Sequence, residues 1–112
     1  IGVELDNIKY KPSNNRIKLI IGNGTDSKTF QNIDNLDIII DDGSHIFTDQ
    51  IFSYAILYDR LKKGGIYIIE DVKNIDEVGP FFNRLNVNAK IFDFRKLKQR
   101  HDDVIVEIIK ET

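Results

Sequence analysis

The chain has 112 residues, of which 41% are hydrophobic, 30% charged and 10% aromatic, enough for one hydrophobic core and too little for two. With no Cys there is no disulfide framework, zinc-thiolate cluster or cysteine nucleophile, and a net charge of -2 removes any general attraction to nucleic acid or anionic membrane. Its apolar runs fall short of the roughly 18 residues of a membrane span and no signal peptide pattern opens it, so it reads as cytoplasmic.

A chain that begins at Ile1 and lacks Met is expected to be part of a longer one. Short β-branched runs alternate with helix-like stretches, which predicts an α/β fold. Strands are expected at Ile1 to Leu5, at Ile17 to Ile21 before the turn Gly22-Asn23-Gly24, and at Leu36 to Ile40. The last is an unbroken apolar run bounded by acids, as in a parallel strand covered on both faces. From Thr48 to Lys63 the period changes, with Ile51, Tyr54, Ala55, Tyr58 and Leu61 on one helical face. Thr48 is the expected N-cap, Phe47 and Phe52 a hydrophobic staple, and Gly64 a left-handed C-terminal cap. Ile66 to Ile69 is the next strand and completes a strand-helix-strand unit. A helix interrupted at Gly79-Pro80 is expected over Ile75 to Leu85, then an antiparallel hairpin of Ala89 to Phe94 and Val104 to Ile109. The whole is expected to be a single domain over residues 1–112.

Ligands of open parallel sheets bind beyond the carboxyl ends of strands, and these ends are acidic here. Leu36 to Ile40 runs into Asp41-Asp42-Gly43-Ser44-His45, and Ile66 to Ile69 into Glu70-Asp71. The two strand ends lie about 5 Å apart if the strands are neighbours, or about 10 Å if one strand intervenes, and either way the carboxylates converge. Unit charges about 4 Å apart repel by roughly 4 kcal/mol at an effective dielectric of 20, which calls for a compensating cation or proton. Oxygen-rich ligation with open positions suits Mg²⁺ or a similar ion. His45, on the same loop, is a candidate general base. Each element alone has a simpler reading as a turn, cap or idle loop residue; the combination points to a site. His101 is read as a solvated loop residue, Ser44 lacks a nucleophile elbow, and Tyr54 and Tyr58 read as core.

The segments Leu36-Asp37-Ile38-Ile39-Ile40-Asp41-Asp42-Gly43-Ser44-His45 and Leu61-Lys62-Lys63-Gly64-Gly65-Ile66-Tyr67-Ile68-Ile69-Glu70-Asp71 resemble the class I S-adenosylmethionine-dependent methyltransferases. More narrowly, they resemble the metal-dependent sugar O-methyltransferases of macrolide tailoring. The resemblance implies Mg²⁺ ligation by Asp42, Glu70 and Asp71, proton abstraction by His45, and cofactor contacts at Glu4 (the ribose), Asp26 and Asp41. It implies a Rossmann-like, mostly parallel sheet with a C-terminal antiparallel hairpin. The family's first strand, with its glycine-rich cofactor loop, has no counterpart here. That strand belongs between the first and third strands of this chain, so the sheet is expected to lack its centre and the chain alone to bind cofactor poorly. The implied acceptor is a sugar-like small molecule, with no nucleic acid or membrane partner and a homo-oligomer left open. Two other readings stand beside this one: a non-catalytic methyltransferase-like module, and an Mg²⁺-binding receiver-type signalling domain. The latter wants a Lys where Glu70-Asp71 stands.

Overall fold

The structure is a computed structural model that describes residues 1–6 and 12–111. Its strands are β1 (Gly2–Glu4), β2 (Leu19–Ile21), β3 (Leu36–Asp41), β4 (Leu61–Ile69), β5 (Asn88–Asp93) and β6 (Val104–Ile109). Its α-helices are α1 (Phe47–Leu57), α2 (Ile75–Arg84) and the single turn α3 (Arg95–Lys98).

The strands form two sheets, a parallel pair β1-β2 and a four-stranded sheet in the order β3-β4-β6-β5. β3 and β4 are parallel neighbours, as expected of one strand-helix-strand unit, and β6 runs antiparallel between β4 and β5. A cavity of about 860 Å³ separates β1 from β3 and is lined by residues of both. The expected gap at the sheet's centre is therefore an open space between the parallel pair and the mixed four-stranded sheet.

Alternation along the strands sorts the larger sheet into two faces. Ile39, Tyr67, Ile69, Val104, Val106 and Ile108 share the buried face. Beneath it α1 and α2 supply Tyr54, Leu57, Val78 and Phe82 to the core. The Tyr54 ring lies 5.0–5.3 Å from those of Tyr58, Tyr67 and Phe82, edge-on to the last two. Tyr54 and Tyr58 are thus packing residues, as expected. On the other face Ile38 and Ile40 are 58% and 59% exposed. The expectation that β3 is covered on both faces is corrected: among the described residues no helix lies over that side.

The 48–63 segment also differs from its reading. α1 ends at Leu57, a 3-10 turn spans Tyr58–Arg60, and β4 begins at Leu61. The buried side of α1 is Gln50, Ser53, Tyr54 and Leu57, one position off the expected stripe, with Ala55 exposed. Gln50 and Ser53 are polar but bonded, Gln50 Nε2 donating to Glu70 O (3.1 Å) and Ser53 Oγ to Gly24 O (2.9 Å), so an apolar-only stripe overlooked them. The residue before the helix is Ile46, not Thr48, and it makes no side-chain cap. Ser44 does the local tying, its Oγ accepting from Ile46 N (3.3 Å) and donating to Asp49 Oδ2 (2.7 Å). Phe47 packs on Phe81 (6.1 Å) while Phe52 stays exposed, so no staple forms.

Gly64 has the positive φ expected of it (83°), but inside β4 rather than at a helix end. Between the pairs Leu36–Leu61 and Ile38–Ile66 the β4 side spends five residues against two, and Gly64 turns within that bulge. Its amide and Gly65 O both bond Lys110, which fastens the bulge to the end of β6. α2 continues through Pro80 without the expected interruption, although this sixth of its ten residues has no amide hydrogen to give the helix.

Candidate metal centre and cofactor cavity

β3 and β4 run side by side and end together, Asp41 opposite Ile69, so the loops that follow start from adjacent points. Glu70 N donates to Asp41 O (2.9 Å), Val72 N to Val104 O (3.1 Å), and Gln50 holds Glu70 O from below. The Glu70-Asp71 corner is fixed on three sides.

On this support Asp42, His45 and Asp71 each turn one ligand atom inward, all within 4.8 Å of one another. His45 Nε2 lies 3.3 Å from Asp42 Oδ1 and 3.1 Å from Asp71 Oδ2. His45 (φ 60°) and Asp71 (φ 53°) both adopt the left-handed backbone conformation. That conformation costs a non-glycine residue about 1–3 kcal/mol and concentrates at functional sites. The two carboxylates, partly exposed and with Glu70 adjoining, fit a small divalent cation with coordination positions left for a substrate, and the imidazole stands beside them as a base.

The structure places the remaining expected residues as follows. Glu70 adjoins the cluster and is half-buried, but its carboxylate is not one of the three convergent donors. Glu4, exposed at the end of β1, lines the cavity. Asp41 lines it from the β3 side, with Oδ1 accepting from Gly43 N (3.1 Å) and Oδ2 buried without a partner among the described residues. Burial pushes the Asp41 carboxyl up from the ordinary range, the Gly43 amide opposes this, and Asp42 adds to the rise. Asp26 caps the 3-10 turn Ser27–Phe30 by accepting from Lys28 N (3.0 Å) and is exposed. Gly22-Asn23-Gly24 is a turn, as read: Asn23 Oδ1 accepts from Thr25 N (2.9 Å), and the chain passes so near Thr29 that a Cβ on Gly22 would clash with its side chain. His101 is an exposed loop residue.

Two residues that sequence reasoning overlooked complete the surroundings. Gln50 is almost wholly buried (3%), and a lone Gln four positions before Tyr54 was the available signal. Tyr67 is fully buried, and its hydroxyl has no partner among the described residues.

No family model matches the chain. Over 62 residues, 52% of its length, it is 31% identical to the 8-demethyl-8-alpha-L-rhamnosyl tetracenomycin-C 2'-O-methyltransferase of Streptomyces olivaceus. Over 61 residues, 51% of its length, it is 39% identical to the mycinamicin VI 2''-O-methyltransferase of Micromonospora griseorubida. The matched segments span 16% and 15% of those relatives, so the chain corresponds to a small part of each. Among solved structures, the MycE methyltransferase from the mycinamycin biosynthetic pathway, in complex with Mg and SAH, superposes with a TM-score of 0.72. That match has 20% identity and covers 98% of this chain and 36% of the other. A MycE complex that also contains mycinamycin VI gives a TM-score of 0.71 at 18% identity, with the same shares of both chains. Over nearly its whole length the chain has the fold of a methyltransferase, and over about half of it the chain is similar in sequence to sugar O-methyltransferases.

Proposed function

We propose that this chain is part of an S-adenosylmethionine-dependent O-methyltransferase that uses Mg²⁺ or a similar divalent ion to act on a hydroxyl of a sugar or other vicinal diol. The observation that carries the reading is the meeting of Asp42, His45 and Asp71 at the joint end of two parallel strands, beside the cavity that Glu4 and Asp41 line. The names of the relatives, all O-methyltransferases of glycosylated natural products, support the acceptor class.

Asp42 and Asp71, joined by the adjacent Glu70, would hold the metal, which when bound supplies Lewis acidity toward the acceptor hydroxyl. His45 Nε2 takes the hydroxyl proton. S-adenosylmethionine, when bound, would supply the electrophilic methyl group for the deprotonated oxygen and keep the electron pair of the carbon–sulfur bond on its sulfur. Glu4 bonds the ribose hydroxyls of the methyl donor, and Asp41 and Asp26 stand on the cofactor side. Residues 1–112 act as one domain, the acceptor is a small molecule rather than nucleic acid or lipid, and the reaction belongs in the cytoplasm. No helix among the described residues is long and apolar enough to cross a membrane.

Mn²⁺ binding followed by electron paramagnetic resonance tests the centre without relying on turnover. Asp42→Asn and Asp71→Asn should each weaken Mn²⁺ by roughly tenfold or more, since each removes a charged ligand. Wild-type protein that binds no Mn²⁺, or methylates fully in excess chelator, would overturn the reading in favour of a non-catalytic module or metal-free chemistry.

A further inference from the structure

Three side-chain polar atoms are buried without a partner among the described residues, Arg60 Nε, Asp41 Oδ2 and the Tyr67 hydroxyl, and the last two come from neighbouring strands. The β3–β4 register sets Ile39 opposite Tyr67 and Asp41 opposite Ile69. Alternation then puts Asp41 and Tyr67 on the same sheet face as diagonal neighbours, a spacing an aromatic side chain can bridge. The Tyr67 ring is held edge-on by Tyr54 at 5.3 Å and is 0% exposed, so its hydroxyl has no route to bulk water. An unpaired buried donor on the same sheet face as an unpaired buried acceptor bears the desolvation penalty twice, and one bridging water relieves both.

The other oxygen of Asp41 already accepts from Gly43 N (3.1 Å), within the turn that carries Asp42 and His45. Asp41 is therefore a two-ended link, with the turn on Oδ1 and the core on Oδ2. We propose that the Tyr67 hydroxyl donates to Asp41 Oδ2 through one trapped water, and is thereby a positioning residue for the Asp42–His45 turn. The positioning role rests on the metal reading above; the water bridge itself does not. It competes with the assignment of Asp41 Oδ2 to a ligand in the cavity, which Asp41 lines and Tyr67 does not.

Tyr67→Phe keeps the ring and removes only the hydroxyl. With Asp41→Asn and the double variant it forms a cycle that can be read in two ways: the urea unfolding constant in chelator, and Mn²⁺ affinity. Groups that share a bridging water couple, so we expect non-additivity of about fivefold in the unfolding constant, and about fivefold weaker Mn²⁺ binding by Tyr67→Phe than by wild type. Additive unfolding effects, within twofold, would overturn the water bridge. Unchanged Mn²⁺ affinity in Tyr67→Phe would overturn the positioning role even if the unfolding effects couple. Wild-type protein that binds no Mn²⁺ would overturn the metal reading and the positioning role together, and the unfolding cycle would still decide the bridge.

Discussion

Asp41 and Asp42 are neighbours in the chain with opposite environments. Asp42 is exposed and faces His45, whereas Asp41 turns under the sheet end, where burial raises its carboxyl above the ordinary range. A carboxyl with a folded pKa above its unfolded one takes up a proton on folding. Its stabilising contribution is complete below the ordinary carboxylate value and is lost as pH rises through the raised one. Urea unfolding in chelator from about pH 3 to pH 7, a range that spans ordinary carboxylate titration, should show wild type losing stability relative to Asp41→Asn as pH rises. A parallel pair of pH profiles would contradict this. The Asp-Asp pair was visible in the sequence; which carboxylate goes inside was not, because that depends on the strand ending one residue later than the apolar run, at Asp41.

Among the elements, β4 shows best how packing redirected local signals. Residues 58–63 continue a helical pattern in sequence, yet the chain leaves the helix at Leu57 and enters the sheet at Leu61. The Lys110 ammonium donates to Tyr58 O (2.9 Å) and Leu61 O (2.8 Å), accounting for two carbonyls freed at the end of the helix. Gly64 and Gly65 permit the bulge for different reasons. At Gly64 the φ of 83° strains any other residue, with nothing near its Cβ position. At Gly65 a Cβ would meet the Leu61 side chain at 2.7 Å and Lys62 O at 2.8 Å, and the backbone atom cannot swing away. Gly64→Ala should cost about 1–2 kcal/mol, the penalty of a left-handed conformation. Gly65→Ala should cost at least as much, about 1–3 kcal/mol, as overpacking against a fixed carbonyl. Thermal unfolding of the two variants checks the order.

For the molecule as a whole, the dominant fact is a sheet covered on one side. The inner face carries the fully buried Tyr67, Val106 and Ile108, and the outer face shows Ile38, Ile40, Phe92 and Phe94, each 38–59% exposed. Exposed apolar groups gathered on one sheet face mark a surface that binds something. The chain by itself should therefore bind the dye ANS while natively folded, and Ile38→Lys with Ile40→Lys should reduce that fluorescence by roughly half while changing stability by less than about 1 kcal/mol, since exposed substitutions cost little. Unchanged dye binding in the double variant would show that this face is not the exposed surface.

The sequence by itself determined the element types and the acidic strand ends, because β-branched runs, glycine turns and Asp-Asp or Glu-Asp pairs are local features. It also brought Asp42, His45 and Asp71 to the ends of two strands of one strand-helix-strand unit, and the structure made those strands neighbours. Only the tertiary structure decided where α1 ends, which face of β3 is covered, and that Tyr67 lies unpaired beside Asp41. Each of these is set by contacts between residues far apart in the chain: Lys110 against Tyr58, the two helices against one face, and Ile39 against Tyr67. No local propensity encodes such pairings, since the free energy that selects them appears only when the sheet closes on its helices.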